Sequence, residues 1–341
     1  MRTVLRAKVP EERASEIVPL LFSQGIADPS ARISGCKGFR LVPIFEDKRD
    51  DIARLGLLLE DGPAYSEASR PPMERICDIL CNLDRSVVDA LPDKWEIAGD
   101  VATIKMSSEL FQFGEMIGKA YAEALGVSSV YADISGVSGE FRLPDMRLIC
   151  GRGGSSVKTE NGIRYCFDVS KVMFASGNLE ERGRMETLHC SGETIVDMFA
   201  GIGYFTLPLA KYSGARRIFA CEKNPESYGF LLKNIMLNDV SETVIPVLAD
   251  NRDLLGHCFA DRILMGYVQT TSEFLSKAIY MAKPGCIIHY HDTFPTGKQN
   301  ECVRAVFEKA CGTRGFDMIC IREVKSFAPS VSHYVADVRI H

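Results

Sequence analysis

The chain has 341 residues, 46% hydrophobic and 25% charged, an ordinary balance that excludes low-complexity, collagen-like and disordered classes and leaves room for a large core. No run of about 20 apolar residues is present, which excludes a membrane-spanning helix. Lys and Arg number 40 against 45 Asp and Glu, and the net charge of −5 argues, as a whole-chain figure, against a nucleic-acid partner.

Residues 1–62 read as a small α+β domain, with a strand over 2–9, an amphipathic helix over 11–24, a strand over 38–43 and a solvated charge run over 46–51. A linker over 63–72 follows, rich in turn residues around Asp61-Gly62-Pro63 and Arg70-Pro71-Pro72. Residues 73–185 read as a second α+β domain: a helix over 73–83, strand-turn-strand over 95–104, a helix over 109–125, then short strands with glycine turns over 129–172. Residues 186–341 alternate strands (194–198, 217–221, 244–248, 263–268, 286–291) with helices (to 212, then 225–237, 272–282, 299–311) and close on strands over 318–324 and 333–340. Such alternation predicts a doubly wound, mainly parallel sheet, so the expected fold is α/β, with a Rossmann-like C-terminal domain behind two smaller α+β domains.

The twelve cysteines are scattered, and the one close pair, Cys77 and Cys81, has no neighbouring histidine with zinc-ligand spacing. The N-terminus carries no secretory apolar core. Reduced cysteines, a cytoplasmic location and no metal are the expectations.

The first turn of the predicted sheet runs from Asp197 through Gly201 and Gly203 to Thr206, where the dinucleotide fingerprint would place a third glycine. Asp197 would repel a pyrophosphate, but can accept bonds from an ammonium group or a water. Glu222 ends the second strand, 19 residues after Gly203, placed to accept both ribose hydroxyls. Asp250 and Asn251 end the third, where an acid and an amide can read the exocyclic amine and ring nitrogen of adenine. Ribose and adenine without a phosphate grip are what S-adenosylmethionine presents. A nucleotide-binding or non-catalytic doubly wound domain is the alternative.

The residues over 197–203, with Glu222-Lys223-Asn224-Pro225 and Asp250-Asn251, resemble class I methyltransferase-fold enzymes. Over nearly the whole chain the resemblance is closer to the branch acting at purine 37 of tRNA, which includes the guanine-N1 methyltransferases and the wyosine-pathway aminocarboxypropyltransferases. The runs over 137–142, 160–162, 168–174 and 177–182, and 324–329 with His333 and Asp337, carry it. Residues 1–62 look like the branch's small N-terminal domain, which in the methyltransferases helps hold the tRNA corner. The methyltransferases carry Asn-x-Pro after strand four. Here the run is Met265-Gly266-Tyr267-Val268-Gln269-Thr270-Thr271, similar to the aminocarboxypropyltransferases, as are 178–182 and 285–292.

The resemblance implies transfer of the 3-amino-3-carboxypropyl group of S-adenosylmethionine to C7 of 4-demethylwyosine at position 37 of tRNA(Phe), with methylthioadenosine leaving. It implies that Arg182 pairs with the methionine carboxylate and sets the pose by a bidentate bond. The serine that the family commonly has seven residues earlier is Ala175 here, which leaves only a backbone contact. C7 is an electron-rich carbon, so catalysis would rest mainly on alignment. Tyr267 is a candidate to stack on the extruded base, with a packed core tyrosine as the plain reading. His289 and His291 alternate on one strand and so can face one side. With Asp292 they suggest a metal only weakly, and a supporting or base-stacking role is preferred. Lys171 is a candidate contact to tRNA or substrate, and the densest basic group of the middle segment is Arg142, Arg147, Arg152, Lys158, Arg164 and Lys171. A monomer with a local, salt-sensitive basic face is expected despite the acidic total. The rivals are a tRNA position-37 methyltransferase, a non-catalytic S-adenosylmethionine- or tRNA-binding protein, and a metabolite methyltransferase, which would leave residues 1–185 without a purpose.

Overall fold

The computed structural model describes residues 3–36, 38–63, 70–139, 141–174 and 176–341. The chain forms two compact units, Met1–Val88 and Asp89–His341.

In the first unit, strands β1 (Thr3–Pro10), β2 (Ser34–Cys36), β3 (Phe39–Pro43) and β4 (Leu58–Pro63) form an antiparallel sheet in the order β2-β3-β1-β4. Helices α1 (Ala14–Ser23) and α2 (Arg49–Arg54) supply Ile17, Leu21 and Ile52 to a core with Ala7, Val9 and Val42. The charge run over 46–51 is a 3-10 turn leading into α2, solvated on the side away from Ile52. Asp61 and Gly62 are not a turn: they pair with Leu5 and Val4 of β1, which makes residues 58–63 the fourth strand. Of the expected linker, residues 64–69 lie outside the described residues. Helix α3 (Pro72–Ile79) belongs to this unit, and α4 (Arg85–Asp89) spans the division.

The second unit opens with β5 (Trp95–Ala98), β6 (Val101–Lys105), α5 (Gly114–Leu125), β7 (Ser129–Ser138) and β8 (Leu143–Cys150), a four-stranded sheet in chain order. Hairpin β9 (Ser156–Glu160) and β10 (Ile163–Phe167) and helix α6 (Leu179–Thr187) lead into β11 (Thr194–Asp197), α7 (Thr206–Tyr212), β12 (Arg217–Glu222), α8 (Pro225–Leu237), β13 (Val244–Leu248), β14 (Ala260–Met265), α9 (Leu275–Met281), β15 (Ala282–Pro295), α10 (Gln299–Cys311), β16 (Phe316–Ala328) and β17 (Val331–Ile340). The last seven strands form one sheet in the order β13-β12-β11-β14-β15-β17-β16, parallel up to β15 and antiparallel beyond it. Helices cover both faces, as parallel strands rich in Val and Ile require. The order reverses between β11 and β14, and there the crevice opens.

Residues on both sides of position 185 share one core: Tyr165, Phe167 and Val169 pack with Ile202, Leu207 and Leu231. The hairpin is fixed further by two asparagines one turn apart, Asn234 on α8 and Asn238 at its C-terminal cap. Asn234 bonds the N–H and C=O of Cys166 at 2.7 and 3.1 Å, and Asn238 those of Arg164 at 2.8 and 2.7 Å. The buried edge of β10 is thus satisfied by side chains instead of a further strand.

Candidate active site

A cleft of about 610 Å³ opens beyond the ends of β11, β12, β13 and β14. Its floor is the turn from Met198 to Phe205. Gly201 and Gly203 hold positive φ of 57° and 103°, and a Cβ on Gly203 would lie 2.7 Å from Leu207 Cγ, so the turn demands glycine there. Asp197 is fully buried below this floor. Its carboxylate accepts from Thr206 Oγ1 at 2.7 Å and Phe199 N–H at 3.2 Å, and burial pushes it up to about 6. It does not line the cleft, so the expected contact to an ammonium group gives way to bracing the turn. This also explains Thr206 in place of a glycine: its hydroxyl meets Asp197.

Glu222 ends β12 and lines the cleft. Oε2 accepts from Gly201 N–H and Oε1 from Asn224 N–H, both at 2.7 Å. The Lys223 N–H also donates to this carboxylate, and with two bonds possible at each oxygen one site remains for a hydroxyl. Burial raises its pKa above the ordinary carboxylate value. Asp250 also lines the cleft, but Arg252 grips it through Nε (2.9 Å) and Nη2 (2.6 Å), and Lys223 Nζ lies at 3.1 Å. These bonds hold its pKa well below the usual range. Asn251 donates through Nδ2 to Met198 C=O at 2.8 Å, so its amide N–H is committed to the turn. Its Oδ1 is buried on the cleft wall with no hydrogen-bond partner among the described residues.

Arg182 is only 2% exposed and does not line the cleft. It donates from Nε to Glu160 Oε2 (2.9 Å), with Nη2 2.8 Å from the same oxygen as an ion pair, and lies over the rings of Phe174 (5.2 Å) and Tyr204 (5.9 Å). Those two rings do form cleft wall, with Tyr204 Oη donating to Met173 C=O at 2.5 Å. In this arrangement Arg182 is a layer behind the wall, in contrast to a direct grip on a carboxylate. Ala175 lies outside the described residues.

Tyr267 lines the cleft, stacked on Phe199 with ring centres 5.1 Å apart and planes at 17°. The strand expected over 263–268 already ends at Met265. Gly266 leaves it where a Cβ would lie 2.8 Å from the Phe205 ring, and the next residues become cleft wall. Arg142, at φ 50°, also lines the cleft, and its Nε is buried without a hydrogen bond. Arg147 is exposed on β8 over the Phe111 ring. Lys171 pairs with Glu226 at 3.2 Å, Lys158 with Glu160 at 3.1 Å, and Arg164 bonds Leu237 C=O, so half of the expected basic group is already engaged.

His289 and His291 share one side of β15, as the alternation predicts, but neither lines the cleft. His289 sits between Asp337 (2.6 Å) and Arg262 (2.7 Å), and burial pulls it down to about 4. Asp292 faces the other way, accepting from Tyr290 Oη and Gln269 N–H at 2.8 Å. It cannot join the histidines on a metal, and the described residues hold no cluster of metal-ligand groups. His333 of β17 is a cleft residue that sequence reasoning left without a role, as are Phe174, Tyr204 and Lys325. Only the tertiary fold brings these segments to one wall.

A seven-stranded sheet of this order, with a glycine turn after β11 and a cleft beyond the ends of β11 to β14, defines a class I methyltransferase-fold protein. Residues 77–154 match the TYW2 N-terminal domain and residues 156–319 the TRM5/TYW2 methyltransferase domain. The chain belongs to the TRM5/TYW2 family. It is 41% identical over 269 residues to the tRNA(Phe) (4-demethylwyosine(37)-C(7)) aminocarboxypropyltransferase of Pyrococcus horikoshii, covering 78% of this chain and 96% of that one. The structure of P. horikoshii TYW2 with MeSAdo superposes with a TM-score of 0.71 at 38% identity, over 79% of this chain and 98% of that one. The structure of Trm5b from Pyrococcus abyssi superposes at 0.69 with 30% identity, over 99% of both chains.

Proposed function

We propose that this chain transfers the 3-amino-3-carboxypropyl group of S-adenosylmethionine to C7 of 4-demethylwyosine at position 37 of tRNA(Phe), releasing methylthioadenosine. The observation that carries this reading is the composition of the cleft. Glu222 and Asn251 line it together with Gly266 and Tyr267, which follow β14 where the branch's methyltransferases carry Asn-x-Pro. The named activity of the P. horikoshii relative supports it.

Asn251 Oδ1, buried without a partner among the described residues, fits an adenine exocyclic amine, and the remaining site on Glu222 fits a ribose hydroxyl. When bound, S-adenosylmethionine supplies a sulfonium-activated Cγ carbon. The chain's own groups bind and orient. Phe174 and Tyr204 wall the cleft beside the turn, and Tyr267, backed by Phe199, offers a flat face to the extruded base. Alignment of an electron-rich carbon against the Cγ carbon is the main contribution. The protein acts as a monomer on the anticodon loop of tRNA(Phe) in the cytosol, and twelve free cysteines suit a reducing compartment.

Incubation with tRNA(Phe) carrying 4-demethylwyosine tests this: methylthioadenosine and a base heavier by the aminocarboxypropyl group are expected. S-adenosylhomocysteine as the by-product would establish the rival methyl transfer, and cofactor binding without turnover a non-catalytic protein.

A further inference from the structure

Joining C7 of an aromatic ring to a new carbon leaves that carbon with both the new bond and its original hydrogen. The C7 electron pair forms the bond to Cγ as the Cγ–S bond breaks, and its electrons leave with methylthioadenosine. The ring recovers its aromaticity only when the C7 proton is taken, its bonding electrons returning to the ring. Alignment alone does not supply that acceptor.

We propose that His333 takes this proton and passes it through His291 to Glu181. The inference rests on the transfer proposed above. His333 lines the cleft together with Phe205, whose ring stacks on His291 next to it. Its Nε2 is 3.1 Å from His291 Nδ1. Nδ1 of His333 makes no hydrogen bond among the described residues. His291 is sealed at 1% exposure under the Phe205 ring, centres 5.3 Å apart. Its Nε2 is buried without a hydrogen bond and lies 3.7 Å from Glu181 Oε1, a gap that a small side-chain shift closes. Glu181 is itself 5% exposed and is held on α6 by Arg184, whose Nε lies 3.0 Å from both carboxylate oxygens and whose Nη2 also donates to Oε1.

The carboxylate selects the direction of the chain. If His291 donated from Nδ1 to His333, its bare Nε2 lone pair would face the Glu181 carboxylate, and both would repel. With His291 protonated at Nε2, that hydrogen points at Glu181, Nδ1 accepts from His333 Nε2–H, and the lone pair of His333 Nδ1 is left for the cleft. A proton taken at Nδ1 then moves along two short transfers to the carboxylate. Burial keeps both imidazoles in their neutral form, pulling His333 down to about 4 and His291 well below its ordinary value, while it raises Glu181 toward proton acceptance. His333 therefore hands the proton on instead of retaining it.

The test compares the wild-type protein with His333→Asn, which keeps a hydrogen-bonding group beside His291 but cannot relay a proton, and with His291→Phe. Nitrogen chemical shifts of labelled histidine in the free wild-type protein report the tautomers, and Nε2–H on both rings is expected. For His333→Asn, calorimetry should show methylthioadenosine binding within about twofold of wild type, while single-turnover transfer falls about a hundredfold or more. With tRNA deuterated at C7, the variant should show a primary isotope effect that wild type lacks, because proton removal becomes the slow step. Nδ1–H on His291, a wild-type rate in His333→Asn, or a loss explained wholly by weaker ligand binding would overturn the relay. Failure of the wild-type protein to release methylthioadenosine would instead overturn the transfer reading, and the tautomer measurement would still judge the relay on its own.

Discussion

Arg182 Nη2 and Glu160 Oε2 meet at 2.8 Å, their side chains only 3% and 10% exposed, and the guanidinium between them and the cleft carries the rings of Phe174 and Tyr204. One residue of α6 thereby ties hairpin β9–β10 to the wall of the cofactor cleft.

Arg182→Ala should cost about 3 kcal/mol of stability, because it leaves Glu160 buried without its main partner. Transfer should fall with it as the Phe174–Tyr204 wall loses its backing. The double variant Arg182→Ala with Glu160→Gln should recover part of the stability in urea unfolding but not the cofactor affinity. Equal stability losses in the single and double variants would show that the pair is uncoupled.

Asn251 offers a sharper handle on the nucleoside. Asn251→Ala removes a buried cleft-wall acceptor that has no donor among the described residues, and also frees Met198 C=O. Methylthioadenosine affinity should drop roughly tenfold to a hundredfold, the cost of about 1–3 kcal/mol for an unmade buried bond. Asn251→Asp keeps an acceptor but sets a carboxylate against the Met198 carbonyl, so it should bind weakly and unfold more easily. Calorimetry of both variants, with a melting curve for each, checks this.

Much of this layout was legible in the sequence because strand-end acids and glycine turns are local signals. Asp197, Glu222, Asp250 and Asn251 fall at the ends of β11, β12 and β13, where the alternation of strands and helices places them. What each carboxylate does was not legible. Asp197 faces inward because Thr206, nine residues on, returns its hydroxyl to it, and Arg252 claims Asp250. The histidines were read as strand neighbours near a possible site. That His333, from another strand, would reach the cleft while His289 is sealed against Asp337 depends on the antiparallel pairing of β15 with β17, which no local pattern reveals. The strand β4 was missed for a related reason: Asp61-Gly62-Pro63 has the composition of a turn, and only pairing with β1 makes it extended.

The buried His289 predicts a pH dependence with a definite sign. Its ordinary value of 6.5 falls to about 4 in the fold, so between those values the unfolded chain binds a proton that the fold refuses. Its contribution to stability is complete above about pH 6.5 and is lost as pH falls toward 4. Asp197, pushed up to about 6, opposes this, because the fold retains a proton there that the unfolded chain releases near 3.8. The difference between wild type and His289→Gln isolates the histidine. Wild type should gain more unfolding free energy than the variant between pH 5 and pH 7 in urea titrations, and equal gains would remove His289 as the source.

Tyr267 is the last test, and it separates base from cofactor. It lines the cleft stacked on Phe199, and both rings also meet Phe274 edge-on, so its plane is fixed before any base arrives. A preset aromatic face stacks a base at little ordering cost, a contact worth about 1–3 kcal/mol. Tyr267→Ala should therefore lower kcat/KM for tRNA roughly tenfold to a hundredfold while changing methylthioadenosine affinity by less than about threefold. Tyr267→Phe, which keeps the ring, should stay close to wild type. If Tyr267→Phe lost as much as Tyr267→Ala, the hydroxyl and not the ring face would be the working part, and Tyr267 would move from stacking to hydrogen bonding at the target base.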